Sequence, residues 1–194
     1  MTTRLTWGIS TVLAFALAAA VGAQVPRDTW SAAGVTAIVD SEDRGVYQTN
    51  TTGSISIRAS VARATLDLRF PIQTLPAHSA PAGACTELRA SLRDTGPGAR
   101  VIVRVMQLGV RNGFDGQLTN LGQIDTNSTP RLTHLNEPAS YAQYRTCLNV
   151  NPAAPFDFAF FTYYVEAELI KSSSGANPGL KSVQICHTDE QCEP

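Results

Sequence analysis

Lysine is almost absent from this chain: Lys171 and Lys181 are the two in 194 residues. Charge of either sign is sparse, at 16% of residues, and the formal net charge is -1. So few charges exclude a highly charged disordered chain. A near-zero balance, with the arginines scattered and nowhere in a run, excludes a nucleic-acid binder that works through bulk electrostatics. Tryptophan occurs twice, at Trp7 and Trp30, and the 14 Gly and 11 Pro show no collagen-like period.

Catalytic signatures are missing as well. The sequence has no G-x-S-x-G elbow, no H-E-x-x-H, no phosphate-binding loop and no dinucleotide fingerprint. His78, His134 and His187 stand alone and far apart, and no C-x₂-C pair offers the tight spacing of a zinc site. No metal site and no cofactor is implied. Nor does any stretch after the first two dozen residues carry a helical apolar period over about twelve residues.

The N-terminus reads as an export signal. Arg4 supplies a positive start, residues 12–21 are apolar and Ala-rich, and Val21-Gly22-Ala23 are small enough for a signal peptidase. The predicted signal peptide is 1–23, cut before Gln24. Its apolar run of about ten residues is short of the roughly 20 that span a bilayer. The residue directly after the cut is Gln24 and not a cysteine, which argues against a lipid anchor. The most apolar later stretch, 156–164, is short and runs into Glu166 and Glu168. The mature chain is therefore expected to have no membrane span and to be periplasmic or extracellular.

All four cysteines, Cys85, Cys147, Cys186 and Cys192, follow the predicted cut. An even count in an oxidising compartment reads as two disulfides, and a cysteine nucleophile is disfavoured accordingly. Three connectivities are open. The preferred one joins Cys186 to Cys192 across a short loop and Cys85 to Cys147.

Residues 24–46 form a leader, with a weak apolar stretch at 35–39 that is either a first strand or a loosely attached arm. Asp40, Glu42 and Asp43, followed by Arg44-Gly45, do not match a calcium loop and read as a solvated turn. From residue 47 to 194 the pattern is strand after strand. Ile55, Ile57, Ala59 and Val61 alternate with Ser56, Arg58 and Ser60. Leu66, Leu68 and Phe70 alternate with Asp67 and Arg69. Leu88, Ala90 and Leu92 alternate with Arg89, Ser91 and Arg93, and Val101, Val103 and Val105 share one side. A period of two means half-buried strands. Asp94-Thr95-Gly96-Pro97-Gly98 is a turn signal. Residues 111–138 are polar and Gly/Asn-rich. They are expected to form a long loop, with a short strand near 117–124; loops of that length are often functional. Further strands are expected at 141–150, from Phe161 to Leu169, and from Leu180 to Ile185. There is no repeat and no break in composition. The expectation is one all-β domain, an antiparallel β-sandwich.

The aromatic strand 160–169, the polar turn after it and the strand 180–185 resemble the C-terminal hairpin of a group of exported bacterial β-sandwich proteins. The stretch 66–94, with its strand ending at Pro71, the Leu75-Pro76 loop and the strand 86–93, resembles the same group. The resemblance implies a jelly-roll-like sandwich and export. It implies no activity, and the cysteines are not part of the shared pattern.

Three functions follow from the residues. The first is a non-catalytic structural or surface-interaction role, with glycans or cell-surface components as partners and no nucleic acid. The second is carbohydrate binding, with Tyr141, Tyr144 and Tyr164 as aromatic platforms. The third is a jelly-roll glycoside hydrolase using Glu166 and Glu168. These two acids share one face of a strand, about 6.5–7 Å apart, a spacing glycosidases use. Against that reading, both stand on one strand, whereas hydrolysis places its acids on opposite sides of the sugar bond.

Overall fold

Backbone hydrogen bonding gathers the alternating segments into two sheets. The computed structural model describes residues 29–73, 85–111, 113, 115–132, 141–151 and 155–187. The predicted signal peptide, His78, His134, the Leu75-Pro76 loop and Cys192 lie outside the described residues. The strands are β1 (Trp30–Ala33), β2 (Ile38–Val39), β3 (Tyr47–Thr49), β4 (Ile55–Ile57), β5 (Ala64–Ile72) and β6 (Glu87–Thr95). They continue with β7 (Ala99–Gly109), β8 (Leu118–Asp125), β9 (Arg131–Leu132), β10 (Ala142–Cys147), β11 (Phe161–Lys171) and β12 (Asn177–Cys186).

The first sheet runs β3-β4-β12-β6-β10-β9, with β1 also paired to β12; the second runs β2-β5-β11-β7-β8. Every pairing is antiparallel. The chain passes repeatedly from one sheet to the other: β4, β6, β10 and β12 belong to the first, β5, β7 and β11 to the second. This is the jelly-roll-like antiparallel sandwich expected of the sequence.

The period of two does the sorting. In β5, Leu66, Leu68, Phe70 and Ile72 are buried while Thr65, Asp67, Arg69 and Pro71 are exposed. Pro71, which has no N–H to give, falls beyond the end of β2, where β5 becomes an edge. Val101, Val103 and Val105 of β7 and Val165, Ala167 and Leu169 of β11 complete the inner face of the second sheet. They pack against Leu88, Leu92, Tyr144, Leu180, Val183 and Ile185 of the first. Each such side chain contributes about 1.5–3 kcal/mol of burial.

Four local details differ from the sequence expectation. Strand β4 stops at Ile57 instead of reaching Val61. Arg58 Nα donates to the Val46 carbonyl, and the carbonyls of Arg58 and Ala59 accept from Lys171 Nζ at 3.1 and 3.4 Å. These carbonyls serve a buried ammonium rather than a neighbouring strand. The predicted 111–138 loop contains the full eight-residue strand β8, which pairs with β7 through a register shift at Val105/Met106. Strand β12 begins at Asn177 rather than Leu180. The leader holds β1 and β2 on different sheets, and Asp40 caps a single 3-10 turn at Ser41–Asp43 by accepting from Glu42 N.

Cys85 and Cys147 are joined, as preferred, across 62 residues of sequence. The bond ties the approach to β6 to the end of β10. In the chain-entropy model, closing a loop that long is worth about 4 kcal/mol. Cys186 is disulfide-bonded as well.

Asp125 ends β8 and organises the turn after it. Its carboxylate accepts from Arg100 Nε at 3.0 Å, Arg100 Nη2 at 2.6 Å and the Asn127 N–H at 3.1 Å. Its carbonyl accepts from the N–H groups of Ser128 and Thr129. The Arg100 hydrogen bonds hold this carboxyl below its ordinary range, outweighing the burial that pushes it up.

Two predictions follow from this packing. Gly34 lies where β1 hands over to β2; a Cβ there would run into the Leu180 carbonyl oxygen and sit 2.9 Å from Ile55 N. Gly34→Ala is expected to lower stability in urea by about 1–3 kcal/mol. Asp125 binds its proton less readily folded than unfolded. Its contribution is therefore complete above the unfolded carboxyl pKa, about 3.9, and is lost as pH falls through the lowered folded value. Denaturation midpoints measured from pH 5 to pH 2 should show a shallower acid limb in Asp125→Asn than in the wild type.

Candidate functional site

The outward side of the second sheet carries two kinds of surface. Its lower half is a charge ladder. Arg104 of β7 stands opposite Gln123 of β8 and Glu166 of β11. Arg104 Nε donates to Gln123 Oε1 at 3.0 Å, and Nη1 donates to Glu166 Oε1 at 3.2 Å. Glu168 is reached at 3.5 Å from both terminal nitrogens. One row on, Asp67 faces Glu168 across the strand pair. Burial, then Glu168, then Asp43 push the Asp67 carboxyl above its ordinary range.

The upper half is apolar and aromatic. Register places Pro71, Tyr164, Met106 and Asn120 in one row and Thr162, Leu108 and Leu118 in the next. Beyond it, Val110 N donates to the Phe160 carbonyl at 2.9 Å, which carries the row on to these two side chains. Leu118 is 56% exposed, Val110 48% and Phe160 40%. At this end the β7–β8 connection and the turn before β11 enclose an open cleft of about 570 Å³ lined by Val110, Arg111, Asp115 and Phe160. The Arg111 guanidinium carbon sits 5.9 Å from the Phe160 ring centroid, so the cleft has a cation stacked on an aromatic wall and a carboxylate in its lining.

The wall is stiff for a local reason. Behind Phe160, Tyr163 points into the core, with Phe156 edge-on at 5.0 Å and Phe158 at 5.1 Å. The Tyr163 hydroxyl accepts from Asp157 N at 2.9 Å. This aromatic cluster fixes the turn from which Phe160 projects.

The residues singled out from the sequence divide between the two outward faces and the core. Glu166 and Glu168 lie on the outward face of the second sheet and share one arginine; the carboxylate beside them, Asp67, is in the same sheet, on the neighbouring strand opposite Glu168. Tyr164 is half-buried on the same face, in the apolar half. Tyr141 lies on the outward side of the first sheet, beside Arg93. Tyr144 points into the core, fully buried, and its hydroxyl accepts from Arg131 Nε at 2.9 Å. A platform for a bound molecule needs an exposed ring, which Tyr144 does not have; burial also raises its phenol pKa.

Phe160, Arg111 and Asp115 were not singled out from the sequence. In the sequence Phe160 merges with the aromatic strand 160–169, and Arg111 and Asp115 carry no local signal at the head of the 111–138 stretch. Among the described residues, metal-ligand spacing occurs at Cys85, Glu87 and Cys147. Both sulfurs are spent in the disulfide, and Glu87 is bonded to Arg89 at 2.9 Å and Arg145 at 3.7 Å. Asp40 and Glu42 are engaged in their own capped turn. No helix of the described residues is long and apolar enough to cross a membrane.

No family model matches this chain, and no curated protein matches it. Among solved structures, the fold is similar to that of the family 30 carbohydrate-binding module of a cellulosomal cellulase from Clostridium thermocellum. The TM-score is 0.41 and the identity 12%, over 84% of this chain and 92% of that one. A module described for specific mannan recognition gives 0.36 and 10%, over 82% and 88%. A family two carbohydrate esterase from Cellvibrio japonicus gives 0.38 and 12%, covering 82% of this chain and 34% of that one, so the chain spans about a third of that enzyme. These are likenesses of sheet arrangement.

The ladder is structural in character, and its pairs are partly exposed. Arg104→Ala, which removes the shared partner of both acids, is expected to cost about 1 kcal/mol, and Glu166→Gln less. Equilibrium urea unfolding of the two variants checks the order.

Proposed function

We propose that this is an exported, non-catalytic β-sandwich that binds a glycan on the outward face of its second sheet, at the Phe160 end. The observation that carries the reading is the exposed Phe160 wall with Arg111 stacked on it and Asp115 in the same cleft, continuous with Leu108, Leu118 and Tyr164. A sugar ring has an apolar face of C–H groups and a rim of hydroxyls. The first packs on an aromatic or aliphatic surface; the second accepts hydrogen bonds from a guanidinium and donates them to a carboxylate. The cleft is open rather than enclosed, which suits a chain that extends beyond it. The Arg104 ladder continues the face with further planar hydrogen-bonding groups.

The non-catalytic part of the reading is supported by Glu166 and Glu168, which stand on one strand and share one arginine. Export is supported by the signal-like first 23 residues and by the Cys85–Cys147 disulfide. A second reading, a structural or surface-interaction role toward another protein, is favoured by the aliphatic exposure of Val110 and Leu118.

Affinity electrophoresis through gels containing soluble polysaccharides separates the two. Glycan binding predicts retardation by at least one polysaccharide, with Phe160→Ala and Arg111→Ala each weakening it about 10-fold, or about 1.4 kcal/mol. Retardation that survives both substitutions would move the site off this face. No retardation in any gel would leave the protein-interaction reading in its place.

A further inference from the structure

We infer that the outward face of the first sheet carries a carboxylate-binding notch built from Arg93, Tyr141 and Gly179. This site is on the other sheet from the cleft and does not depend on the glycan reading.

Register brings the three together. Arg93 of β6 is paired with Gly179 of β12. On its other side β10 begins at Ala142, opposite Leu92, so Tyr141 lies abreast of Arg93. Leu92 faces the core, and Arg93 and Tyr141 therefore face outward. The Arg93 guanidinium carbon lies 5.2 Å from the Tyr141 ring centroid. Tyr141 is only 8% exposed.

What needs explaining is the hydrogen bonding. The Tyr141 hydroxyl and Arg93 Nε are both buried and, among the described residues, without a hydrogen-bond partner. Buried polar groups are nearly always paired, and a buried donor on a charged group is the costliest to leave unpaired. The atoms converge. A Cβ on residue 179 would stand 3.1 Å from Tyr141 Oη, 3.2 Å from Arg93 Nη2 and 3.3 Å from Arg93 Nε. Glycine leaves that position open, and all three groups around it can donate. A site made of donors, one of them charged, calls for an anionic acceptor. The Nε and Nη2 edge of a guanidinium matches the two oxygens of a carboxylate, and the phenol supplies a third donor.

The charge around the notch agrees. Among the described residues Glu87 is the acid on this face, and it is engaged by Arg89 and Arg145 further along. Arg93 has no ion pair among the described residues. Its own side chain, half-buried and lying against the Tyr141 ring, forms the cover. Rotation of that flexible chain admits a ligand without moving a strand.

The test uses the disulfide-bonded exported protein and the ¹⁵N NMR signals of the arginine Nε–H groups. Sodium glucuronate, sodium acetate, glucose and sodium chloride are added in separate titrations. The notch predicts that the Arg93 Nε–H signal moves saturably with glucuronate and is unmoved by glucose or chloride. If acetate saturates the signal at the same concentration, the carboxylate alone is recognised; if glucuronate saturates it at least ten-fold lower, the sugar ring adds contacts. Gly179→Ala should abolish the shift, and Tyr141→Phe should weaken it several-fold while leaving the unliganded melting temperature unchanged or higher. A signal unmoved by both carboxylates, or moved equally by glucose or chloride, would overturn the inference. So would a clear drop in the melting temperature of Tyr141→Phe, since the hydroxyl would then already hold a bonded partner. The wild-type titrations decide the matter even if a variant fails to fold.

Discussion

The register of β11 between β5 and β7 is the constraint on which the rest depends. Eleven residues of β11 pair along its length with β7, and nine of them with β5. Tyr163, Val165, Ala167 and Leu169 point inward because that parity fills the core. The opposite parity is thereby assigned to Thr162, Tyr164, Glu166 and Glu168, with Phe160 just ahead of the strand. A slip by one residue would send Tyr163, Val165 and Leu169 into water and bury two carboxylates. The chemistry of the outward face is thus set by the packing of the inward one.

Much of this architecture was legible in the sequence, because alternation is a local signal. Strands β5, β6, β7 and β11 announce themselves through Leu66–Leu68–Phe70, Leu88–Ala90–Leu92, Val101–Val103–Val105 and Val165–Ala167–Leu169. Strand β8 was only half visible, for a physical reason. Its inward residues are Leu121 and Ile124, three apart, because the ladder shifts register at Val105/Met106, and Gly122 takes a place where a Cβ would lie 2.7 Å from Leu148 Cδ2. A bulged strand has no clean period to read. The early stop of β4 was illegible because the competitor for its carbonyls, Lys171, is 112 residues away. The cleft escaped for the same kind of reason. Arg111 and Phe160 meet only after β7 and β11 pair, and nothing local marks either one. The aromatic reading of Tyr144 went astray because one residue of parity separates a platform from a core side chain.

The two outward faces differ in electrostatic character. On the first sheet Arg89, Arg93 and Arg145 outnumber Glu87. On the second, Arg69 and Arg104 stand among Asp67, Glu166 and Glu168. With lysine nearly absent, both faces express positive charge through guanidinium groups, which are planar, permanently protonated and able to stack as well as to hydrogen-bond. Arg104 uses that geometry to bridge three strands. Arg111 uses it to lie against Phe160, and Arg93 to lie against Tyr141.

The Cys85–Cys147 bond encloses a long stretch of chain. Inside it lie β6 to β10, and with them the connection that carries Val110, Arg111 and Asp115. A protease that cuts the backbone once between these cysteines would release nothing. The two pieces would remain one covalent molecule, each still paired into the sheets, and the cut would show only after reduction. The disulfide thus confers tolerance to a single scission on the segment that carries one wall of the cleft.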